Sequence, residues 1–507
     1  MSRFYLTTPI YYVNDVPHAG HAYTTIATDV LARWYRLQGE EVFFLTGTDE
    51  HGTKIAQAAA ARNRAPQEYC DEIAAQFQQA WKDLRVSNDS FIRTTAPAHA
   101  RAVQSFLKAL WEKGVIYKAR YQGKYCVQCE RFYAEDELIG GLCPDHRIPP
   151  EVQSEDNYFF RLSDFRETLL AAITDENHPQ HFKIYPLARR NEVIGKLKQD
   201  VNDLSISRAT LSWGIPLPWD RSQTTYVWVD ALLNYLTAIG YPDDPRHVEE
   251  WWPAQLHLMA KDILWFHAVI WPALLMATEM KLPKKIFVHG FFTVNGQKMS
   301  KSMGNVIRPA DLIKEFGVDG TRYLLLSAFP FGADGDFNQD LMKTAYNAAL
   351  ANDLGNLISR SFTMVENFCG AKVPPPDDKN RVTSRVLEEL KKVRDHLERL
   401  QFHYALAAII AAVERLNGFI EEQAPWKLAK TAPAECQSVL RELLACIKMM
   451  SFYLWPFMPD TAHAVWKQLG QTDDLEAGAK RYFVHQGPVD LAAGQVTQKD
   501  APLFPRK

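Results

Sequence analysis

No sign of charge dominates this chain of 507 residues: 57 basic side chains stand against 60 acidic ones, a formal net charge of −3. Such a balance provides no whole-molecule field for a nucleic acid, so any polyanion would have to meet a local patch. Long apolar runs are also missing. The most apolar stretch, Ile263 to Ala277, contains His267 and Pro272. It is shorter than the roughly 20 residues that cross a bilayer and reads as a buried helix, so no membrane association is expected. The start, Met1-Ser-Arg-Phe-Tyr-Leu, has no basic region leading into an apolar one, so no secretory signal is read and a cytoplasmic location is expected. Cysteine is scarce, 7 in all: Cys126, Cys129 and Cys143 crowd together, while Cys70, Cys369, Cys436 and Cys446 are scattered. One cluster in an otherwise thiol-poor chain excludes a disulfide framework and points to a metal. Internal repeats and low-complexity tracts are absent as well.

What is present is core material, 47% apolar residues and 23% charged ones, in a chain long enough for roughly two to four domains. Arg3 to Val13 is rich in Tyr, Ile and Thr, as a buried strand is. A loop with Asn14, Asp15 and Pro17 leads into a helix from about Gly20 to Leu37, stopped by Gly39, and Val42 to Leu45 makes a second strand. Strand, helix and strand with short links form the unit of a parallel sheet. Val103, Phe106, Leu107, Leu110 and Trp111 mark an amphipathic helix ending at Gly114. Val115 to about Pro218 is turn-rich and reads as an insertion between two halves of that sheet. Alternation returns at Thr225 to Val229, read as a strand, and Ile286 to His289 is another. Beyond Tyr346 the pattern is helical, with stripes such as Val386, Leu390, Val393 and Leu397. An α/β fold with a split parallel sheet, followed by an all-α bundle, is expected.

Five groups of residues carry chemistry. Pro17-His18-Ala19-Gly20-His21 ends the first strand and opens a helix, where free N–H groups and the helix dipole favour phosphates. His18 and His21 can aim ring N–H donors at phosphate oxygens, and Gly20 lets a flat base lie on the backbone; capping of the helix would account for the histidines equally well. Lys298-Met-Ser-Lys301-Ser302, between Gly296 and Gly304, is a basic loop able to close, with two ammonium groups for a departing pyrophosphate. Cys126-x-x-Cys129 and Cys143-x-x-His146 are two chelating pairs suited to one tetrahedral, fully ligated and therefore structural zinc ion. Tyr12, Trp228, Tyr235, Phe266, His267 and Trp271 are an aromatic set that would suit a polarizable thioether, though an aromatic core is the simpler reading of the pattern. Asn352, Asn356 and Arg360 recur every fourth residue, one stripe of a helix, and Trp426 offers a stacking face.

His18-Ala-Gly-His21 resembles the HIGH signature of the class I aminoacyl-tRNA synthetases, with Ala19 where Ile is commonest, and Lys298 to Ser302 is their KMSKS signature letter for letter. Thr8-Pro-Ile-Tyr-Tyr-Val-Asn14 and Thr46-Gly-Thr-Asp-Glu-His-Gly52 are similar to the bacterial single-zinc methionyl branch, a likeness running from Phe4 to at least Trp426. The resemblance implies a Rossmann-like catalytic domain in two parts, 1–114 and 223–292, split by a zinc-binding connective insertion at 115–222. A signature-loop and stem-contact region at 293–346 and an α-helical anticodon-binding domain at 347–507 would follow. It implies that ATP, with magnesium, is held by Tyr12, Asn14, His18, Gly20, His21, Lys298 and Lys301. Methionine would lie among Ile10, Tyr12, Asp49, Trp228, Ala231, Tyr235, Phe266, His267 and Trp271, with Asp49 on its ammonium. Asn352, Asn356, Arg360 and Trp426 would read the anticodon of tRNA(Met), initiator tRNA included, and transfer would go to the 2′-hydroxyl.

An insertion of about a hundred residues is filled by the zinc region, so no separate editing module is expected. The chain also stops without the appended β-barrel of some relatives, from which a monomer is expected. A cysteinyl-type synthetase, a small-molecule nucleotidylyltransferase and a non-catalytic tRNA-binding paralogue are the competing readings. The intact His18, His21, Lys298 and Lys301 speak against the last.

Overall fold

The computed structural model describes residues 2–126, 131–133, 138–144, 147–209, 211–299, 305–376, 379–485 and 489–507. Its centre is a six-stranded sheet of β1 (Arg3–Tyr12), β2 (Glu41–Asp49), β3 (Ser90–Arg93), β4 (Lys183–Tyr185), β5 (Leu256–Ala260) and β6 (Lys285–His289). Neighbours run β3-β2-β1-β5-β6-β4 and every pair is parallel. Strand order therefore reverses between β1 and β5, and ligands of such sheets bind at the carboxyl ends beside that reversal. β4 lies within the stretch expected to be inserted, yet it pairs with β6 as the edge of the main sheet.

Alternation decides which side chains meet which layer. Leu6, Phe44, Leu256 and Leu258 turn to one face, where they pack with α1 (Ala19–Leu37) and with the helical half of the chain. Tyr5, Leu45, Met259, Ile286 and Val288 turn to the other, against the helix Pro97–Glu112 and the segment Phe266–Ala277. The insertion contributes a long antiparallel pair, Ile116–Cys126 with Glu151–Phe160. Thr225 to Val229 is not a strand. Only Thr224–Thr225 pairs, with Ser207–Arg208, and a helix begins at Val227; a short apolar run does not by itself separate strand from buried helix.

The helical half contains Asn356–Cys369, Thr383–Glu398, Phe402–Gln423, Pro433–Leu454, Pro459–Gln468 and Leu475–His485. It is joined to the sheet domain by the helix Pro309–Ser327. Fully buried Arg322 on that helix donates to Asp29 Oδ2 of α1 at 2.7 Å and to the carbonyls of Leu84, Pro456 and Phe457 at 2.7 to 3.0 Å. A buried guanidinium is tolerated only with its donors satisfied, so this one fixes α1 relative to the helical half.

Candidate active site

At the carboxyl end of β1 the chain turns into α1, and the two histidines do cap that helix. Gly20 N donates to His18 Nδ1 at 3.1 Å and His18 N donates to His21 Nδ1 at 3.3 Å, a reciprocal capping box. The two rings stack with centroids 3.6 Å apart. Burial holds the His18 imidazole down to about 4, and burial together with His18 holds His21 well below its usual value. Both are therefore neutral at pH 7, and since each Nδ1 accepts a backbone proton, the ring proton of each sits on Nε2. Capping thus uses Nδ1 of each ring and leaves its Nε2–H as the nitrogen able to donate to a ligand. A Cβ on Gly20 would come within 3.0 Å of His18 Cε1, so the glycine keeps the ring in place.

The segments on either side of the second signature adjoin the same turn. A hairpin, Phe292–Val294 with Gln297–Lys298, leads into it, and Phe292 packs on Tyr23 of α1 with ring centroids 4.4 Å apart. On its far side, Ile307 O accepts the N–H of Ala19 at 2.8 Å. Asp336 Oδ1 accepts from Gly296 N and Asp334 Oδ1 from Phe291 N, both at 2.7 Å, securing the hairpin base. The segment entering the loop and the segment leaving it therefore both touch the start of α1. Lys301 lies outside the described residues, and for Lys298 only the backbone is described.

The aromatic set divides into walls and backing. Trp228 and Phe266 stack at 3.8 Å with their planes 9° apart, and Ile10 and Tyr12 pack half-buried against the same core as Trp228. Ala231 is buried one turn beyond Trp228. Behind them, His267 Nδ1 lies 3.0 Å from Ile263 O, so Nδ1 carries the proton and Nε2 accepts from Tyr235 Oη at 2.7 Å. Burial lowers His267 to about 4 and keeps it neutral. Trp271 is fully buried against Tyr235, Trp252 and Phe106. Phe266 and His267 stand on a π-helical turn, Phe266–Ile270, a wider coil frequent at functional sites. Asp49 is buried at the end of β2, in register with Tyr12, and its carbonyl accepts Val13 N at 3.1 Å. Asn14 is exposed at the mouth of the β1–α1 loop.

A buried polar group next to these residues escaped the sequence reading. Asp230 Oδ2 lies 2.7 Å from His51 Nδ1 and Oδ1 lies 2.8 Å from His99 Nε2. Burial alone would raise the Asp230 carboxyl, but the two imidazoles outweigh it and hold it down to about 2. Burial opposes and Asp230 more than restores the charge of His51, whose value is raised. Glu50, also buried, accepts a two-pronged contact from Arg93 at 2.7 and 2.9 Å. Both Glu50 and His51 sit inside the Thr46–Gly52 string, and Asp230 inside Trp228–Tyr235. The available signal was an acidic residue within the apolar Trp228–Tyr235 string and the charged residues of the Thr46–Gly52 string.

Of the four expected zinc ligands, Cys129 and His146 lie outside the described residues. Cys126 and Cys143 are buried together with Tyr133 in a small cluster of their own, backed by Leu138 and Ile148. Cys143 Sγ is 3.6 Å from Tyr133 Oη, which would donate to a metal-bound thiolate. So small an apolar cluster holds a lobe poorly by itself, and a metal suits it. Among the described residues no three potential metal ligands gather. In the helical half, Arg360 bonds Glu421 at 2.7 Å and lies 6.0 Å from the ring centroid of half-exposed Trp426. Asn356 is exposed, whereas Asn352 is tied to Arg506 at 2.8 Å. No helix among the described residues is long and apolar enough to cross a membrane.

Comparison with known proteins agrees with this arrangement. The family model described as tRNA synthetases class I (M) matches residues 4–149 and 146–362, and that described as the anticodon binding domain of methionyl tRNA ligase matches 372–495. A methionine–tRNA ligase of Streptomyces coelicolor is 44% identical over 524 residues, covering 99% of this chain and 96% of its own. One from Synechocystis sp. is 42% identical, with 99% and 97% covered. The Mycobacterium tuberculosis methionyl-tRNA synthetase solved in complex with methionyl-adenylate is 39% identical and matches over 100% of both chains with a TM-score of 0.93. With the split parallel sheet, the capped histidine turn and the segments on either side of the second signature meeting at one helix start, the chain belongs to the methionyl family of class I aminoacyl-tRNA synthetases.

Proposed function

We propose that the chain is a methionine–tRNA ligase: it converts ATP and L-methionine to methionyl-adenylate and diphosphate, then transfers the methionyl group to tRNA(Met), initiator tRNA included, releasing AMP. The observation that carries this reading is the 2.8 Å hydrogen bond from Ala19 N to Ile307 O. It ties the start of α1 to the segment leaving the basic loop, so a triphosphate on the turn is within reach of that loop.

In the first step the methionine carboxylate attacks the α-phosphorus in line and the bond to the β-phosphate breaks. Neutral His18 and His21 donate from Nε2 to the phosphate oxygens, contributing direction without charge. The charge on the leaving diphosphate is then met by Lys298 and Lys301, with magnesium supplying further neutralisation when bound with ATP. Tyr12, Asn14 and Gly20 complete the nucleotide side. Asp49 takes the methionine ammonium, Ile10, Trp228, Ala231 and Phe266 flank the thioether, and Tyr235, His267 and Trp271 back them. In the second step the terminal 2′-hydroxyl attacks the acyl carbon and AMP leaves; neither step needs a covalent bond to the enzyme. Asn352, Asn356, Arg360 and Trp426 read the anticodon, and Cys126, Cys129, Cys143 and His146 hold one structural zinc ion. The form proposed to carry out the reaction is a cytoplasmic monomer.

ATP–pyrophosphate exchange with each amino acid in turn, without tRNA, tests the assignment. Methionine should drive exchange best; exchange driven best by cysteine, or by none, would overturn it. Lys301→Ala should slow exchange while tRNA binding stays nearly intact, and unchanged exchange would remove the loop from the reaction.

A further inference from the structure

Asp230 takes no part in the chemistry above, yet it is completely buried on the short helix that carries Trp228 and Ala231. Its two oxygens serve two imidazoles from different parts of the chain. His51 belongs to the turn directly after Asp49, and His99 to the helix Pro97–Glu112. The Asp49–Gly52 turn is gripped from other sides as well. Trp213 Nε1 donates to Glu50 O at 2.6 Å, Gly52 N donates to Trp213 O at 3.0 Å, and the Trp213 ring lies 5.5 Å from that of His51. Arg93 and Thr48 hold the Glu50 carboxylate. Every one of these contacts secures the turn to the edge of the sheet or to the inserted region, except His51 to Asp230. Of the contacts just named, that one reaches the helix bearing Trp228 and Ala231.

We infer that Asp230 is a positioning residue for amino-acid recognition: as common acceptor of His51 and His99, it sets the spacing between the Asp49 carboxylate and the walls formed by Trp228 and Ala231. The inference rests on the proposed reading that Asp49, Trp228 and Ala231 bind methionine. A methionine must reach both ends of that spacing at once, its ammonium at one and its thioether at the other. Only a carboxylate can accept from both imidazoles. An amide of the same size presents N–H to one of them and leaves a buried donor pair opposed. Rigid support of this kind governs how well a site holds its ligand geometry.

Asp230→Asn, assayed by pyrophosphate exchange on the full-length enzyme, should raise the KM for methionine about tenfold or more while the KM for ATP stays within about twofold. The histidines provide a rescue test that a merely structural role would not pass. The amide N–H of Asn occupies the place of Nδ1, so His51→Asn should recover most of the methionine affinity that His51→Leu loses. His99→Gln, whose amide reaches the place of Nε2, should likewise outperform His99→Leu. Unchanged methionine KM in Asp230→Asn, an equal rise in both KM values, or His51→Asn no better than His51→Leu overturns the inference. If Asp230→Asn does not fold, the His51 pair decides. Asp49→Asn keeps the two failures apart: an unaltered methionine KM there rejects the underlying assignment of Asp49, whatever Asp230 does.

Discussion

The two sides of the site are built by opposite means. On the phosphate side, one short segment makes its own geometry: the bonds that aim His18 and His21 span two and three residues. On the amino-acid side, the defining bonds join residues far apart, 32 positions for Tyr235 and His267, 179 for His51 and Asp230, and 250 for Thr7 and His257, whose ring lies 4.2 Å from that of Tyr235. A local device depends on the start of one helix, while a distributed one depends on the packing of the whole core. Damage to the first should appear as lost rate in a stable protein. Damage to the second should appear as lost affinity and lost stability together.

Acidification loads buried imidazoles on both sides, His18 and His21 on the local one and two more on the distributed one. His257 and His267 are buried, and burial depresses both, His257 well below the usual value and His267 to about 4. Below the unfolded value of about 6.5 the unfolded chain takes up protons that these folded sites refuse. Stability should therefore fall from about pH 6.5 down to about 4, with a slope approaching about 1.4 kcal/mol per pH unit for each imidazole. His51 runs the other way. Its value is raised, so its contribution is complete below the unfolded value and is lost as pH rises through the folded one. Urea unfolding at a series of pH values should show an acid limb that becomes shallower in His267→Gln. An unaltered limb would mean that these rings are not held neutral.

The local side is tested next by His21→Asn, which keeps an acceptor able to cap but removes the ring Nε2–H. The rate of exchange should drop by about 10²- to 10³-fold, as when one oriented donor to a developing charge is lost. Any loss of unfolding free energy should come from the missing ring packing and not from the cap, since an amide at the third helical position can still accept the N–H of the N-cap residue His18. A stable protein with full exchange activity would mean that the histidine is a cap and nothing more. Tyr235→Phe is the matching change on the distributed side. It strips the donor from His267 Nε2 and leaves a buried acceptor unpaired, costing roughly 1–3 kcal/mol of stability, together with a higher KM for methionine. Stability loss without a change in that KM would place Tyr235 in the core only.

The same contrast explains what could be read from the letters. The turn at His18–His21 was legible because capping chemistry and phosphate affinity are local, though the sequence did not say that each function takes its own nitrogen. The β1–α1–β2 unit and the helical half follow from composition and periodicity, although β1, α1 and β2 are themselves buried on nearly every side and show no one-faced pattern. The stretch Thr225 to Val229 misled because a few apolar residues serve a helix and a strand alike. Lys183–Tyr185 went unseen as a core strand, since three residues carry no period. Within the pocket, pattern alone favoured an aromatic core, and for Trp271 the packing matches that description. Asp230 could not be assigned from sequence because its meaning lies in two partners 131 and 179 positions away.

The smallest expected effect falls outside both sides of the site. Arg360 lies over the face of Trp426 at 6.0 Å and pairs with Glu421 on the exposed surface of the helical half. A contact of this kind at an exposed site is worth about 0.5–1 kcal/mol. Arg360→Lys keeps the charge and loses the planar fork, so kcat/KM for tRNA charging should fall only about two- to fivefold. Trp426→Ala removes the stacking face itself and should lower charging further, with exchange in the absence of tRNA unaltered in both variants. A fall in exchange would show that these residues support the catalytic half through packing. A Lys variant as damaging as the Ala variant would show that the guanidinium, and not the indole, meets the RNA.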